Sequence, residues 1–281
     1  MWTPRMIPSV EPMTELVLDG LKARQRMTWG SGDYGAVAAL IHPMAEELVQ
    51  AADLSAGARV LDIAAGTGNA SIAAARSGCR VTSTDYVPAL LARGRERAKA
   101  EHIAIDFDVA DAEDLPYPSA SFDAVLSVVG AMFAPDQERV AAEMTRVCRP
   151  GGTIAMANWT PDGFIGQMFR TVGRLVPPPA GIRGPIEWGS AARVQELISD
   201  RVIDLRVVPR TFVFRFESPT HFTEYFRDNY GPTVKAFEAL GERDGKLLYD
   251  DLTDLAARYN VATDGTAKIP STYVQVLAIR R

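Results

Sequence analysis

The residues best suited to chemistry form one short stretch, in which an aspartate precedes a glycine-containing turn. Asp62 lies in the apolar segment Arg59–Ile63, which the pattern predicts as a buried parallel strand. Gly66 and Gly68 follow it, and a helix is predicted from Ala70. Glycine adopts positive φ easily and has no Cβ, so a ligand can lie against backbone N–H groups where that helix begins. The stretch therefore predicts a ligand site at a strand–turn–helix junction.

A second aspartate extends this prediction to the kind of ligand. Asp85 ends another predicted strand, which begins at Arg80. In nucleotide-binding folds a carboxylate about 20 residues beyond the turn accepts hydrogen bonds from ribose hydroxyls. An adenosine-like ligand is therefore expected, either a nicotinamide dinucleotide or S-adenosylmethionine. Ser71 stands where the dinucleotide fingerprint has its third glycine, which disfavours the dinucleotide.

Four stretches between Val60 and Ala157 resemble, in the right order, motifs of the class I S-adenosylmethionine-dependent methyltransferases. The likeness is strongest to the branch that includes ubiquinone and menaquinone C-methyltransferases and many bacterial small-molecule methyltransferases. Ala64 stands where the family has its first glycine. Because alanine adds only a methyl group, we expect a slightly shifted backbone and retained cofactor binding. The stretches are Val60-Leu61-Asp62 with its turn, Asp111–Tyr117, Ser121–Ser127 and Arg149–Gly152.

Strands and helices alternate from Arg59 onward, which predicts an α/β fold with a doubly wound parallel sheet. The resemblance implies a Rossmann-like, seven-stranded sheet whose antiparallel last strand lies beside the fifth. The predicted strands are 59–63, 80–84, 103–109, 122–128, 153–157, 202–216 and 273–279. The predicted helices include 88–101, 137–147, one beginning after Ser190, and 220–259 with breaks at Gly231-Pro232 and near Gly241.

The regions outside this alternation are predicted to cover the site. Residues 1–50 are predicted to form an N-terminal helical lid over the cofactor, with irregular structure up to Pro12 and a bend or restart at Pro43. Residues 51–281 form the predicted methyltransferase core. Helical cap insertions are expected at 160–189 and 218–262.

The resemblance assigns ten residues to S-adenosylmethionine. Asp85 is expected to bind the ribose hydroxyls, Tyr86 to pack on the adenine, and Asp111 to accept from the adenine amino group. Glu113 and Asp114 are expected to be solvent-facing loop charges. The ten residues are Asp62, Ala64, Gly66, Gly68, Asn69, Asp85, Tyr86, Asp111, Ala112 and Ser127.

Aromatic and methionine side chains gather where an acceptor pocket would lie, after the fourth and fifth strands and in the lid and cap segments. Such a set suits a planar or lipophilic small molecule. Packing of the cap onto the core is the alternative explanation for each of them. The candidates are Trp29, Tyr34, Met132, Phe133, Trp159, Phe164, Tyr225 and Tyr230.

Only three histidines occur, and His221 is the best candidate for a general base among them, although a surface or capping role is favoured for it. The sequence contains no metal-ligand cluster. The Asn-Pro-Pro-Tyr motif of many amino-group and nucleic-acid methyltransferases is absent after the fourth predicted strand, where Ser127-Val128-Val129-Gly130 stands. A small organic acceptor is therefore favoured, without a choice between O-, N- and C-methylation.

Composition and charge narrow the classes of protein to which this chain can belong. A net charge of −5 and a pI near 5.4 argue against a nucleic-acid groove. No apolar stretch is long enough for a membrane span and no secretory signal is recognisable, so a cytoplasmic protein is predicted. Cys79 and Cys148 are interpreted as reduced structural thiols. A monomer and a homodimer both stay open, and so do two other functions, a non-catalytic S-adenosylmethionine-binding protein and an NAD-dependent oxidoreductase.

Overall fold

One mixed sheet of seven strands forms the centre of the computed structural model, which describes residues 15–179 and 182–281. The strand order across the sheet is β3-β2-β1-β4-β5-β7-β6. The strands are β1 (Arg59–Ile63), β2 (Arg80–Asp85), β3 (Asp106–Val109), β4 (Phe122–Val128), β5 (Cys148–Trp159), β6 (Val202–Phe216) and β7 (Ala267–Arg280).

The pairing of the strands confirms the predicted Rossmann-like topology. Strands β1 to β5 pair in parallel with their neighbours, and β7 lies antiparallel between β5 and β6. The chain leaves β1 for β2 on one side and returns to β4 on the other, so the order of the strands reverses between β1 and β4. In open α/β sheets, ligands bind at the carboxyl ends of the strands next to such a reversal.

Eleven α-helices flank the sheet in the described part of the chain. They are α1 (Glu15–Trp29), α2 (Tyr34–Leu40), α3 (His42–Ala52), α4 (Asn69–Arg76), α5 (Pro88–Ala100), α6 (Gln137–Val147), α7 (Phe164–Leu175), α8 (Ala191–Ile198), α9 (Pro219–Asn229), α10 (Gly231–Ala239) and α11 (Glu242–Tyr259).

Most predicted boundaries agree with these elements, and the differences have local causes. The breaks at Gly231 and Gly241 separate α9, α10 and α11, and Pro43 lies in the first turn of α3, where it restarts the helix. Strand β7 is longer than predicted because Ala267–Thr272 pairs with Thr211–Phe216 of β6, and β5 extends to Trp159 by pairing with β7. Ser190 occupies the N-cap position of α8, but its side chain makes no capping hydrogen bond.

The predicted lid is described only in part. Residues 1–14, including the segment predicted as irregular, lie outside the described residues. Val37, Met44 and Leu48 from α2 and α3 belong to the same buried core as the sheet, so these helices are packed onto it. In the described ranges, no helix combines the length and the apolar character that a membrane crossing requires.

Candidate active site

A cleft opens at the carboxyl edge of the sheet, beside the reversal of strand order, and the space between its walls is about 590 Å³ with the solvent-open part included. The turns after β1, β2, β3 and β4 form one side of it, and α1 with the start of α2 forms the other. Of the ten predicted cofactor residues, six line this cleft. They are Ala64, Gly66, Asp85, Tyr86, Asp111 and Ala112.

The turn after β1 takes a backbone conformation that favours glycine. Gly66 and Gly68 have φ of +57° and +82°, and Ala64 has φ of +49°. Ala64 therefore adopts the left-handed conformation that glycine favours, at a cost of roughly 1 kcal/mol. A Cβ added to Gly66 would lie 3.1 Å from Cε1 of Tyr34, so the turn and this ring are in close approach.

Asp85 is held rigidly at the cleft by backbone donors. Its Oδ2 accepts a hydrogen bond from the N–H of Gly66 at 2.9 Å, and its Oδ1 accepts one from Val87 at 2.8 Å. Burial raises the pKa of this carboxyl to about 6, although these backbone bonds act in the opposite direction. Each carboxylate oxygen accepts from one protein donor and keeps a lone pair for a ligand hydroxyl.

Asp62 lies deeper, against a second, small cavity that shares Tyr34 and Ala64 with the cleft. Its Oδ2 accepts from the backbone N–H and the hydroxyl of Ser71, at 2.8 and 2.6 Å. Its Oδ1 is buried and has no partner among the described residues. Burial raises the pKa of Asp62 to about 7. An unpaired carboxylate oxygen beside a cavity is the kind of group that a ligand donor satisfies.

Three other predicted cofactor residues serve internal contacts. The amide of Asn69 donates to the Ala38 carbonyl at 2.7 Å and accepts from Arg97 at 2.8 Å, while its side chain borders the second cavity. The Ser127 hydroxyl donates to the Ile63 carbonyl at 3.1 Å, so it joins β4 to β1. Gly68 is the N-cap residue of α4 and does not line the cleft.

The far end of the cleft contains a cluster of charges that corrects one prediction. Lys22 of α1 lies 2.7 Å from Oδ2 of Asp111 and 2.5 Å from Oε2 of Glu113. Glu113 was expected to face solvent, but it is only 1% exposed. Its Oε1 accepts from the backbone N–H of Asp136 at 2.7 Å, and this bond together with Lys22 offsets part of the effect of burial, which still raises the pKa of Glu113. Asp114 is exposed, as expected.

Helix α1 contributes cleft residues that the sequence reasoning missed. Lys22 and Gln25 both line the cleft, and the Gln25 amide donates to the Phe133 carbonyl at 3.0 Å. The guanidinium of Arg26, also in α1, lies 5.4 Å from the centre of the Tyr86 ring. Lys22, Gln25, Arg26 and Trp29 follow each other at the spacing of one helix face, which is the signal that could have identified them.

A third cavity, narrow between its side chains, adjoins the cleft on the side of β5 and is here called the apolar pocket. It shares Trp29, Tyr34, Val129 and Phe133 with the cleft. No charged side chain lines it in the described part of the chain. Its remaining lining residues are Val37, Ile41, Trp159, Ile165, Met168, Phe214, Phe226 and Tyr230.

Five of the eight predicted acceptor residues therefore line this pocket, namely Trp29, Tyr34, Phe133, Trp159 and Tyr230. The other three lie outside its lining. Met132 is fully buried, and the ring of Phe164 packs 5.0 Å from that of Phe222, which joins α7 to α9. The ring of Tyr225 packs 5.3 Å from that of Phe216.

His221 lies away from both the cleft and the apolar pocket. The ring Nδ1 of His221 accepts a hydrogen bond from the backbone N–H of Glu217 at 3.4 Å, and the backbone N–H of His221 donates to the Ser218 hydroxyl at 3.0 Å. The side chain is 40% exposed at the start of α9. The structure therefore gives His221 the surroundings of a helix-capping segment.

Comparison with known proteins decides the family. The family model described as "Methyltransferase domain" matches residues 61–156. The uncharacterized protein Rv1405c of Mycobacterium tuberculosis is 39% identical over 249 residues, which cover 85% of this chain and 89% of that protein. The chain belongs to the class I S-adenosylmethionine-dependent methyltransferases. The enzyme is also 39% identical to the demethylmenaquinone methyltransferase of Deinococcus radiodurans over 127 residues, covering 44% of this chain and 53% of that one.

Solved structures of other proteins have the same fold as this methyltransferase. The YcgJ protein of Bacillus subtilis superposes with a TM-score of 0.60 at 17% identity, covering 85% of this chain and 99% of that protein. A phosphoethanolamine N-methyltransferase of Haemonchus contortus, solved with S-adenosylhomocysteine, gives a TM-score of 0.54 at 18% identity, covering 85% of this chain and 52% of that one. The family assignment makes S-adenosylmethionine the cofactor and sets aside the oxidoreductase and non-catalytic readings.

Proposed function

We propose that this methyltransferase acts on a small aromatic or lipophilic molecule bound in the apolar pocket. One observation carries the proposal. The cofactor cleft and the apolar pocket share Trp29, Tyr34, Val129 and Phe133, so the two cavities adjoin and a ligand in the pocket would lie next to a ligand in the cleft. The demethylmenaquinone methyltransferase among its relatives supports the same class of acceptor.

The residues of the cleft fit the cofactor. The turn at Gly66 has the positive φ and the missing Cβ that allow close approach to backbone. We assign the ribose hydroxyls to Asp85, whose carboxylate lies at the cleft with spare lone pairs. Asp62 has an unpaired buried oxygen that suits the cofactor's ammonium group. Tyr86, Asp111 and Ala112 would hold the adenine end.

When bound, S-adenosylmethionine supplies a methyl group on a positively charged sulfur, which leaves as a neutral thioether. The protein then has mainly to align the acceptor and to exclude water. The apolar pocket does both, because the rings of Trp29, Phe133 and Trp159 restrict a planar ligand and leave little room for solvent.

The lining also argues against highly charged acceptors. A phosphorylated molecule or a nucleic acid would need cations to compensate its charge, and the described lining of the apolar pocket has none. The overall charge of −5 adds long-range repulsion for polyanions. An uncharged or singly charged organic molecule is the better match.

The proposal is tested by giving the enzyme tritiated S-adenosylmethionine together with an extract of small molecules, and then separating organic-soluble product from protein and nucleic acid. Label is expected in the organic phase. The variant Met168→Phe fills the apolar pocket without touching the cleft, so it should lower transfer at least about tenfold while S-adenosylhomocysteine still binds. The exposed variant Met27→Ser is the control. Label found only in macromolecules would contradict the proposal.

A further inference from the structure

Two tyrosines from distant segments meet in the apolar pocket. Tyr34 begins α2, and Tyr230 joins α9 to α10. The ring of Trp29 lies between them, with its centre 5.4 Å from the Tyr34 ring and 5.7 Å from the Tyr230 ring. Both tyrosines line the pocket, and Tyr34 also lines the cofactor cleft. Two phenol groups therefore lie close to the place where donor and acceptor meet.

Neither hydroxyl has a hydrogen-bond partner among the described residues. By contrast, the hydroxyls of Tyr117 and Tyr273 each donate to a carboxylate at 2.7 Å. Both hydroxyl oxygens also keep some accessible surface. The side-chain polar atoms that are fully buried without a partner do not include those of Tyr34 and Tyr230. An enclosed tyrosine usually finds a partner for its hydroxyl, so two unpaired ones in one pocket indicate a polar group of the ligand.

Both phenols are hydrogen-bond donors at neutral pH. Burial raises the pKa of Tyr34, and the nearby carboxylate of Asp85 raises it further. Burial also raises the pKa of Tyr230, and Tyr34 adds to this effect. These side chains therefore remain protonated and cannot serve as bases.

Building on the proposed function, we infer that the acceptor is a phenol or an enol, and that Tyr34 and Tyr230 bind its oxygen as an anion by donating to it. Besides the indoles of Trp29 and Trp159, no other polar side chain lines the pocket in the described chain, so the two phenols are the hydroxyl groups that can recognise an oxygen there. Hydrogen bonds donated to the anion stabilise it, so they lower the pKa of the bound acceptor.

Such binding removes the need for a general base in the pocket. The acceptor releases its proton to solvent as it binds, and two donors together with the sulfonium charge stabilise the resulting anion. The anion's oxygen, or the enolate carbon conjugated with it, then forms the new bond to the methyl group, and the carbon–sulfur bond breaks with its electron pair going to sulfur. Where carbon is methylated, that carbon afterwards loses its hydrogen to solvent while the oxygen takes up a proton, which restores the phenol or enol. One negative and one positive charge disappear, and an apolar surrounding favours this more than water does.

The test uses 4-nitrophenol, whose ionisation is visible in its absorbance, and nitrobenzene, which has a similar shape but no hydroxyl. The wild-type enzyme and the variants Tyr34→Phe, Tyr230→Phe and Tyr249→Phe are saturated with S-adenosylhomocysteine. The absorbance of bound nitrophenol is followed with pH, and nitrobenzene affinity is measured by calorimetry. Tyr249 is a matched control because its hydroxyl donates to Glu224 on the surface, at 3.2 Å.

The wild type is expected to lower the pKa of bound nitrophenol by about one unit or more. Each pocket variant should weaken phenolate binding about tenfold, as expected for a lost hydrogen bond to a charge, and should bind nitrobenzene like the wild type. The Tyr249→Phe variant should match the wild type with both probes. Nitrobenzene binding with an unshifted nitrophenol pKa would overturn this inference and leave the proposed function standing. Binding of neither aromatic probe to the saturated enzyme would overturn both.

Discussion

The cofactor cleft and the apolar pocket share a wall but are built by different means. The cleft is formed largely by turns that directly follow β1 to β4, and its polar groups are fixed by backbone bonds such as those from Gly66 and Val87 to Asp85. The apolar pocket takes side chains from helices α1, α2, α7 and α9 and from β6, which are far apart in the chain. Its polar atoms are fewer, and they have no hydrogen-bond partner in the part of the chain that the structure describes.

This difference separates the two tasks of the enzyme. Under the proposed function, binding the cofactor depends on a local arrangement of strand ends, while choosing the acceptor depends on how the outer helices pack. Side chains of α7 and β6 that line the apolar pocket do not touch the cleft, for example Met168 and Phe214. Changes there are expected to alter the acceptor without altering the cofactor site.

The largest expected effect comes from removing the carboxylate at the cleft. Asp85→Ala should weaken S-adenosylhomocysteine binding at least about tenfold, because charged hydrogen bonds to the ligand are lost and the N–H of Gly66 loses its acceptor. Nitrobenzene affinity should stay the same, since Asp85 does not line the apolar pocket. Calorimetry with both ligands checks this. Unchanged S-adenosylhomocysteine affinity would sink the assignment of Asp85.

Two glycine-to-alanine variants distinguish crowding by the added Cβ from backbone strain. Gly66→Ala and Gly57→Ala both place alanine at positive φ, 57° and 82°, and each should lower the free energy of unfolding by about 1 kcal/mol. Only the Cβ at Gly66 meets a neighbour, the ring of Tyr34 at 3.1 Å. We therefore expect a roughly tenfold loss of cofactor affinity in Gly66→Ala alone. Equal affinity in the two variants, measured by calorimetry, would refute the close approach of ligand to this turn.

The buried carboxyl of Asp62 should make stability depend on pH. Its pKa is about 7 in the folded protein, against about 4 in an unfolded chain. The folded state therefore holds a proton that the unfolded chain has released, so this stabilisation is complete below pH 4 and is lost as the pH rises through 7.

Asp62→Asn keeps an acceptor for Ser71 and removes the charge. From pH 5 to 8, urea denaturation should show the wild type losing roughly 2 kcal/mol more than this variant. A parallel pH dependence of the two proteins would mean that Asp62 is charged throughout this range.

The smallest expected effect is at Ala64. Ala64→Gly relieves a left-handed alanine but adds flexibility to the unfolded chain, so the free energy of unfolding should rise by less than about 1 kcal/mol. Affinity for S-adenosylhomocysteine should change by no more than about twofold. Thermal unfolding and calorimetry check both values, and a gain of about tenfold in affinity would show that Ala64 impairs the site.

The same contrast explains what the sequence could predict. Gly66, Asp85 and Asp111 follow strand ends at spacings within one segment, so local pattern was sufficient to place them at the cleft. The orientation of Asn69 was not accessible, because it depends on Ala38 and Arg97 from two other elements.

Long-range packing explains the remaining misses. The burial of Glu113 requires Lys22 of α1, and no pattern near Glu113 signals that partner. In the same way, Phe164 and Tyr230 are similar aromatic residues, and only the packing of α7 and α9 decides that one joins the cap to the core while the other lines the pocket.

The central claim is that donor and acceptor occupy two adjoining sites. The most direct test is a calorimetric titration of nitrobenzene into the enzyme, alone and saturated with S-adenosylhomocysteine. We predict one bound nitrobenzene per chain in both cases, with equal or tighter binding when the cleft is filled. Displacement of nitrobenzene by S-adenosylhomocysteine would show that the aromatic ligand uses the cofactor cleft, and it would contradict the separation of the two sites.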